Sequence, residues 1–171
     1  MKHLRLLLLS VLIVPLFLSC GDDEPSMSTV DKVEVTWHID ATSDLLYYAF
    51  FELEYDDDNG KSKFDYMEEN ADGSYELTIT RTSIPSKFSF SFNASFDKAV
   101  SSADNNVYKM GYNVWYDIVT YDKNGKKINK IDHCMPYSVN EDYCPATTSG
   151  VLKVLIPYSK EFTIDSNGEI K

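Results

Sequence analysis

Phe88-Ser89-Phe90-Ser91-Phe92-Asn93-Ala94-Ser95-Phe96 places an apolar residue at every second position and a small polar one between. Successive side chains of a β-strand point to opposite faces, so this stretch predicts a strand with five apolar positions on one face. A slip of one residue would turn all five to solvent, which fixes the register. The same period runs through Val33, Val35, Trp37 and Ile39 against Glu34, Thr36, His38 and Asp40, and again through Tyr75, Leu77 and Ile79. Further strands are expected at 107–121, 126–134 and 151–158, with a terminal pair at Phe162–Ile164 and Glu169–Lys171. No segment carries a helical period of useful length. Closely spaced turn signals among short alternating segments predict an all-β chain, an antiparallel β-sandwich of about seven to eight strands with immunoglobulin-like architecture. A lipocalin-like closed β-barrel is the alternative.

Asn59-Gly60 and Asn124-Gly125 predict two-residue hairpins of type I′, in which both central residues need positive φ. Around Asn59-Gly60 that rule sets Tyr55 against Phe64 and Leu53 against Tyr66 on one face, with Asp56 and Asp58 facing Lys63 and Lys61 on the other. Around Asn124-Gly125 it sets Ile118 against Ile131, Val114 against Met135 and Asp122 against Lys127, whereas a three-residue loop would set Ile118 against Lys130. Asp72-Gly73 predicts a third turn and Ser166-Asn167-Gly168 a fourth.

At the N-terminus Lys2 and Arg5 precede an apolar run, Leu6 to Leu18, broken only by Ser10 and Pro15 and ending at Ser19-Cys20. The run suits a cleaved export signal better than a membrane-spanning helix. Phe17-Leu18-Ser19-Cys20 resembles the lipobox of bacterial lipoproteins, with Phe17 where an aliphatic residue is usual. The resemblance implies that Cys20 is acylated and becomes the first residue. Asp22-Asp23-Glu24 resembles the export tag that sends lipoproteins of Bacteroidetes-type bacteria to the outer face of their outer membrane. The expected organisation is a signal peptide at 1–19, a lipidated acidic tether at 20–29 and a single β-sandwich domain at 30–171.

Removal of 19 residues from 171 leaves 152, enough for one domain with a real core. It also removes Lys2 and Arg5, leaving 14 basic against 27 acidic side chains and a net charge of −13. Such a charge excludes nucleic acid as a partner and excludes attachment to anionic headgroups by charge. The membrane contact expected is the lipid itself, and multiple acyl chains make a lasting anchor. With Cys20 committed to lipid, Cys134 and Cys144 remain in an exported chain and are expected to pair as a disulfide worth about 3 kcal/mol; two buried free thiols are the alternative.

Leu45-Leu46, the strand Ala49–Tyr55, the turn Asp58-Asn59-Gly60-Lys61 and the strand near Ile84-Pro85 are together similar to a group of small lipoproteins of gut Bacteroidetes. That resemblance implies a β-sandwich of immunoglobulin type, surface location and, for most members, no assigned activity. The short spacing of Cys134 and Cys144 does not match the inter-sheet disulfide of true immunoglobulin domains.

Motifs for chemistry are sparse. His133 and Cys134 are adjacent on a strand and point to opposite faces, so they cannot form a catalytic dyad. Glu52 and Glu54 share a strand face about 6.6 Å apart, near the lower separation of inverting glycosidases, but with 27 acids such a pair arises readily by chance. With Gly60 in sixth place of a calcium loop, the first and twelfth positions fall on Tyr55 and Tyr66, neither a carboxylate. There is no Gly-rich phosphate loop, no G-x-S-x-G elbow and no His/Cys spacing for zinc. No enzyme, metal or cofactor is expected. Twelve Tyr, nine Phe and two Trp exceed what one core face requires, and Trp115 and Tyr121 are the candidate binding surface, set by the expected register opposite Cys134 and Ile128. The expected function is non-enzymatic binding of a glycan or an envelope protein, with a structural or assembly subunit of a surface fibre as the alternative.

Overall fold

The computed structural model describes residues 29–67, 73–96, 108–143 and 157–171. The described strands are β1 (Lys32–Ala41), β2 (Ala49–Asp56), β3 (Ser62–Met67), β4 (Ser74–Arg81), β5 (Ser86–Phe96), β6 (Tyr108–Tyr121), β7 (Lys127–Tyr143) and β8 (Tyr158–Ile164), with one short helix, α1 (Ser43–Tyr48), between β1 and β2. They form two antiparallel sheets of four strands. Sheet A runs β4-β1-β6-β7 and sheet B runs β3-β2-β5-β8. Side chains bridge the sheets at the β3 and β4 edges, where Tyr75 donates to Asp65 at 2.6 Å and the Thr80 amide donates to Asp58 at 2.7 Å. No backbone ladder joins them there among the described residues. The fold is a sandwich and not a barrel.

Alternation puts the core where the sequence predicts it. Val33, Val35, Trp37 and Ile39 of β1 and Phe88, Phe90 and Phe92 of β5 are all buried. Trp37 stacks on Phe90 at 4.7 Å across the sandwich and leans on Tyr116 at 4.6 Å. Phe162 of β8 stacks on Tyr116 and on Phe88, while Tyr112 meets Phe51 and Phe92 edge-on. Helix α1 is too short to show a period, and it buries Leu45, Leu46 and Tyr48 as the chain crosses from one sheet to the other. Strand β8 is longer than the expected terminal pair because Lys160, opposite Phe90 on the inward row, interrupts the apolar pattern.

Both expected hairpin registers change at the turn. Between β2 and β3 the Asp57 N–H donates to the Lys61 carbonyl and the Gly60 N–H to the Asp57 carbonyl, so the loop has three residues. Only Gly60 among them has positive φ, +70°, whereas type I′ would require it of Asn59 as well. The Asp57 carboxylate accepts from the Asn59 and Lys61 amides at 2.9 and 3.0 Å, and that local bonding selects the turn. Tyr55 therefore faces Lys63 and Leu53 faces Asp65, while Phe64 and Tyr66 move to the opposite face beside Glu54 and Glu52.

Asp122-Lys123-Asn124-Gly125-Lys126 repeats the arrangement, with Asp122 paired to Lys126 and not Lys127. Asp165-Ser166-Asn167-Gly168-Glu169 makes it a third time, ahead of the bridge between Ile164 and Ile170. Gly73 has φ +68°, and Asp72 lies outside the described residues. Each turn carboxylate is held below its ordinary value. Amide donation from Lys61 and Asn59 does this for Asp57, donation from Lys126 and Asn124 for Asp122, and the Lys171 ammonium followed by the Glu169 amide for Asp165. A depressed folded-state pKa means stability present above the unfolded value and lost as pH falls through the folded one. Carbon-detected NMR titration should place all three midpoints below 3.8, and the turn amides should lose protection only beneath that pH.

Register shifts along β6 and β7 restore Ile118 opposite Ile131 but set Val114 against Tyr137, Tyr121 against Lys127, and Tyr116, not Trp115, against Cys134. His133 and Met135 on either side of Cys134 have positive φ, and each extra residue absorbed there changes the partners beyond it. The expected Cys134–Cys144 disulfide is not made in the structure. Cys134 carries a free thiol, half-buried against the core with Sγ turned to the Ile131 carbonyl, and Cys144 lies outside the described residues. Burial first, then Asp117 and Asp132, push this thiol up from its ordinary value, which opposes nucleophilic use. Cys20 and the acidic tether up to residue 28 also lie outside the described residues.

Candidate functional site

The outer face of sheet B is built by the turn at Asp57. With a three-residue loop the outward row of β3 is Ser62, Phe64 and Tyr66, and the outward row of β2 is Asp56, Glu54 and Glu52. Phe64 is 69 % exposed and Tyr66 54 %, the first being the most exposed large apolar side chain among the described residues. They lie two residues apart on one face, about 7 Å along the strand. Strand β5 continues the surface with Ser91 beside Glu54 and Asn93 beside Glu52, and β8 adds Ser159 beside Ser91. The face therefore reads, across the strands, as rings, carboxylates, then hydroxyls and an amide.

Inward side chains hold this surface rigid. Leu53, Phe51 and Met67 are buried beneath it, and Asp65 anchors the edge strand by accepting the Tyr75 hydroxyl. Burial first and that hydrogen bond second push the Tyr75 phenol well above its ordinary value, so the tie persists at any physiological pH. Asp56 is fixed by Ser89 at 2.6 Å and by Ser62 at 3.4 Å. Between Asp56, Glu54, Ser89, Ser91 and Ser159 lies a shallow open depression of about 200 Å³. Glu52 and Glu54 are exposed and have no ion-pair partner among the described residues, which leaves their oxygens as free acceptors. No group of three or more His, Cys, Asp or Glu among the described residues could hold a metal ion.

Trp115 and Tyr121, the rings singled out from sequence, share the outer face of sheet A but stand six residues apart, about 20 Å along β6. His38 of β1 stacks on Trp115 at 5.0 Å and 7°, and His133 of β7 flanks it at 5.1 Å. Asp117 joins this group, its carboxylate 3.3 Å from His38 and accepting the His133 amide at 2.7 Å. Tyr121 donates to Glu34 at 2.6 Å and lies 3.9 Å beneath the Lys32 ammonium. Glu34 in turn is held below its ordinary value by Lys32 first and Tyr121 second. Both rings are half-buried, and neighbours occupy the surfaces a ligand would stack upon. The structure does not bring them into one platform.

Phe64 and Tyr66 were not legible as surface rings from alternation alone. The signal that identifies them is Asp57, two residues ahead of Asn59, because D-x-N-G favours an Asp-capped three-residue loop over type I′. No protein-family model matches this chain, and no curated protein matches it in sequence.

Proposed function

We propose that this chain is a lipid-anchored, cell-surface binding module without catalytic activity, and that its ligand is a glycan held on the outer face of sheet B. The single observation that carries the reading is the exposure of Phe64 and Tyr66 beside the unpaired carboxylates of Glu52 and Glu54. Aromatic faces stack on the apolar C–H faces of sugars, and carboxylate, serine and asparagine side chains bond their hydroxyls. The core of a protein-protein interface is depleted in Glu, Asp and Ser, whereas Glu52 and Glu54 lie directly beside the rings, with Asp56 on the same strand and Ser89 and Ser91 one strand further on. That favours a sugar over a protein partner. The open face also argues against hydrolysis, since a catalytic acid needs an environment that keeps it protonated at neutral pH.

The assembly reading would use β7, a 17-residue edge strand with Ile128, Ile131 and Met135 exposed. Its bulges and the positive φ at His133 and Met135 break the flat edge that strand addition requires.

Location follows from Cys20 and the acidic run after it. No helix among the described residues is long and apolar enough to cross a membrane. Under this proposal Cys20→Ala moves the protein from the membrane fraction to the soluble one, and retention after a salt wash would refute the anchor. The binding claim is tested by pull-down on immobilised plant and host polysaccharides. The wild-type chain should bind at least one of them, and Phe64→Ser/Tyr66→Ser should lose at least tenfold in affinity. Undiminished binding by the double variant would remove this face from the function.

A further inference from the structure

Beyond the depression on sheet B, and sharing Asp56 with it, a wider crevice of about 520 Å³ opens between the Asp58–Gly60 turn and the β4–β5 connection. Its floor is Arg81, a residue only 7 % exposed. The guanidinium lies over the Phe88 ring at 5.4 Å and donates from Nη1 to the Asp57 carbonyl and from Nη2 to the Asp56 carbonyl. A guanidinium has five N–H donors, and two are committed here. No carboxylate pairs with it among the described residues, although a buried charge is ordinarily paired. The carboxylates of the wall already have donors: Asp56 accepts from Ser62 and Ser89, and Asp58 accepts from the Thr80 amide. Lys87 at the rim is paired with Glu161 at 2.7 Å, and Ser83 and Ser86 line the remainder. The crevice thus holds a fixed positive charge with spare donors, and its two wall carboxylates, Asp56 and Asp58, are turned to other donors and not to the guanidinium.

We propose that the Arg81 crevice is an oxyanion subsite that receives a carboxylate or sulfate carried by the ligand. This rests on the glycan reading above and narrows it to a glycan that carries an acidic group, which would sit at Arg81 and away from the carboxylates of Glu52 and Glu54. Planar donor geometry suits both groups bidentately, which Lys cannot reproduce.

The test is NMR titration of the full chain in detergent micelles, reading the Arg81 Nε–H signal and the Gly60 and Ser83 amides. Sodium sulfate, an oligogalacturonate, its neutral methyl ester and a sulfated oligosaccharide are the probes. Sulfate and at least one acidic oligosaccharide should shift these signals, and the neutral ester should bind at least tenfold more weakly than the free acid. Arg81→Lys should lower acidic-oligosaccharide affinity at least tenfold. If that variant does not melt cooperatively, the wild-type titration decides alone. The tighter of the uronate and the sulfated probe identifies the group bound. Shifts from neither sulfate nor an acidic sugar would overturn the subsite. Equal binding of the ester, lost in Phe64→Ser/Tyr66→Ser, would also overturn it while leaving the glycan reading intact. Sulfate shifts at Arg81 with no oligosaccharide binding would keep the anion pocket and remove the glycan reading.

Discussion

Phe90→Ala should lower stability by about 3–5 kcal/mol, the loss typical of emptying a buried aromatic site. Phe90 is 1 % exposed and lies at the centre of β5, between Tyr55 of β2 and Lys160 of β8. Its ring stacks on Trp37, so the substitution removes a contact between middle strands of the two sheets. A single domain has only about 5–15 kcal/mol to lose. Urea denaturation checks this directly, and an unchanged midpoint would show that the Phe88–Phe92 face does not build the core. Ser91→Ala, on the outward row, should change the midpoint little.

Gly73→Ala should cost a comparable amount by a different route. Gly73 has φ +68°, and a Cβ there would stand 2.2 Å from the Ala41 carbonyl oxygen. That oxygen cannot retreat, because the Ala41 amide donates to the Gly73 carbonyl at 2.8 Å and holds the start of β4 against the end of β1. Left-handed strain of about 1–2 kcal/mol adds to a steric penalty of about 1–3 kcal/mol. Gly60→Ala supplies the control. Its φ is +70° but nothing lies within 4 Å of the added carbon, so only the strain is expected. Equal losses at the two glycines would contradict the close approach of Gly73 to β1.

Alternation made the core rows legible, because burial against a facing sheet demands period two and β1 and β5 obey it without exception over their described side chains. The turns were legible in position but not in type. Asn-Gly permits type I′, yet the Asp two residues earlier satisfies two amides that type I′ would leave to water, and it does so at Asp57, Asp122 and Asp165 alike. One residue of difference then reversed the facing of Phe64 and Tyr66 and brought the candidate site into existence. The bulges at His133 and Met135 are not marked in the sequence, since positive φ is uncommon outside glycine even for His, which adopts it more often than most. Trp115 and Tyr121 were found on the outer face of sheet A, but what lies against them came from strands far apart in sequence: His38 and Glu34 from β1, His133 from β7. Arg81 had no signature at all, because its burial depends on the turn that β2 and β3 make beneath it.

Everything proposed for the sheet B face depends on Phe64 and Tyr66 standing outside the core. The melting temperature of Phe64→Ser/Tyr66→Ser tests this most directly. Two exposed rings replaced by serine should leave the midpoint within about 3 °C of wild type, since surface substitutions generally change stability by less than about 0.5 kcal/mol each. A fall of more than about 10 °C, the mark of two rings taken from the interior, would restore the two-residue turn and remove the binding face.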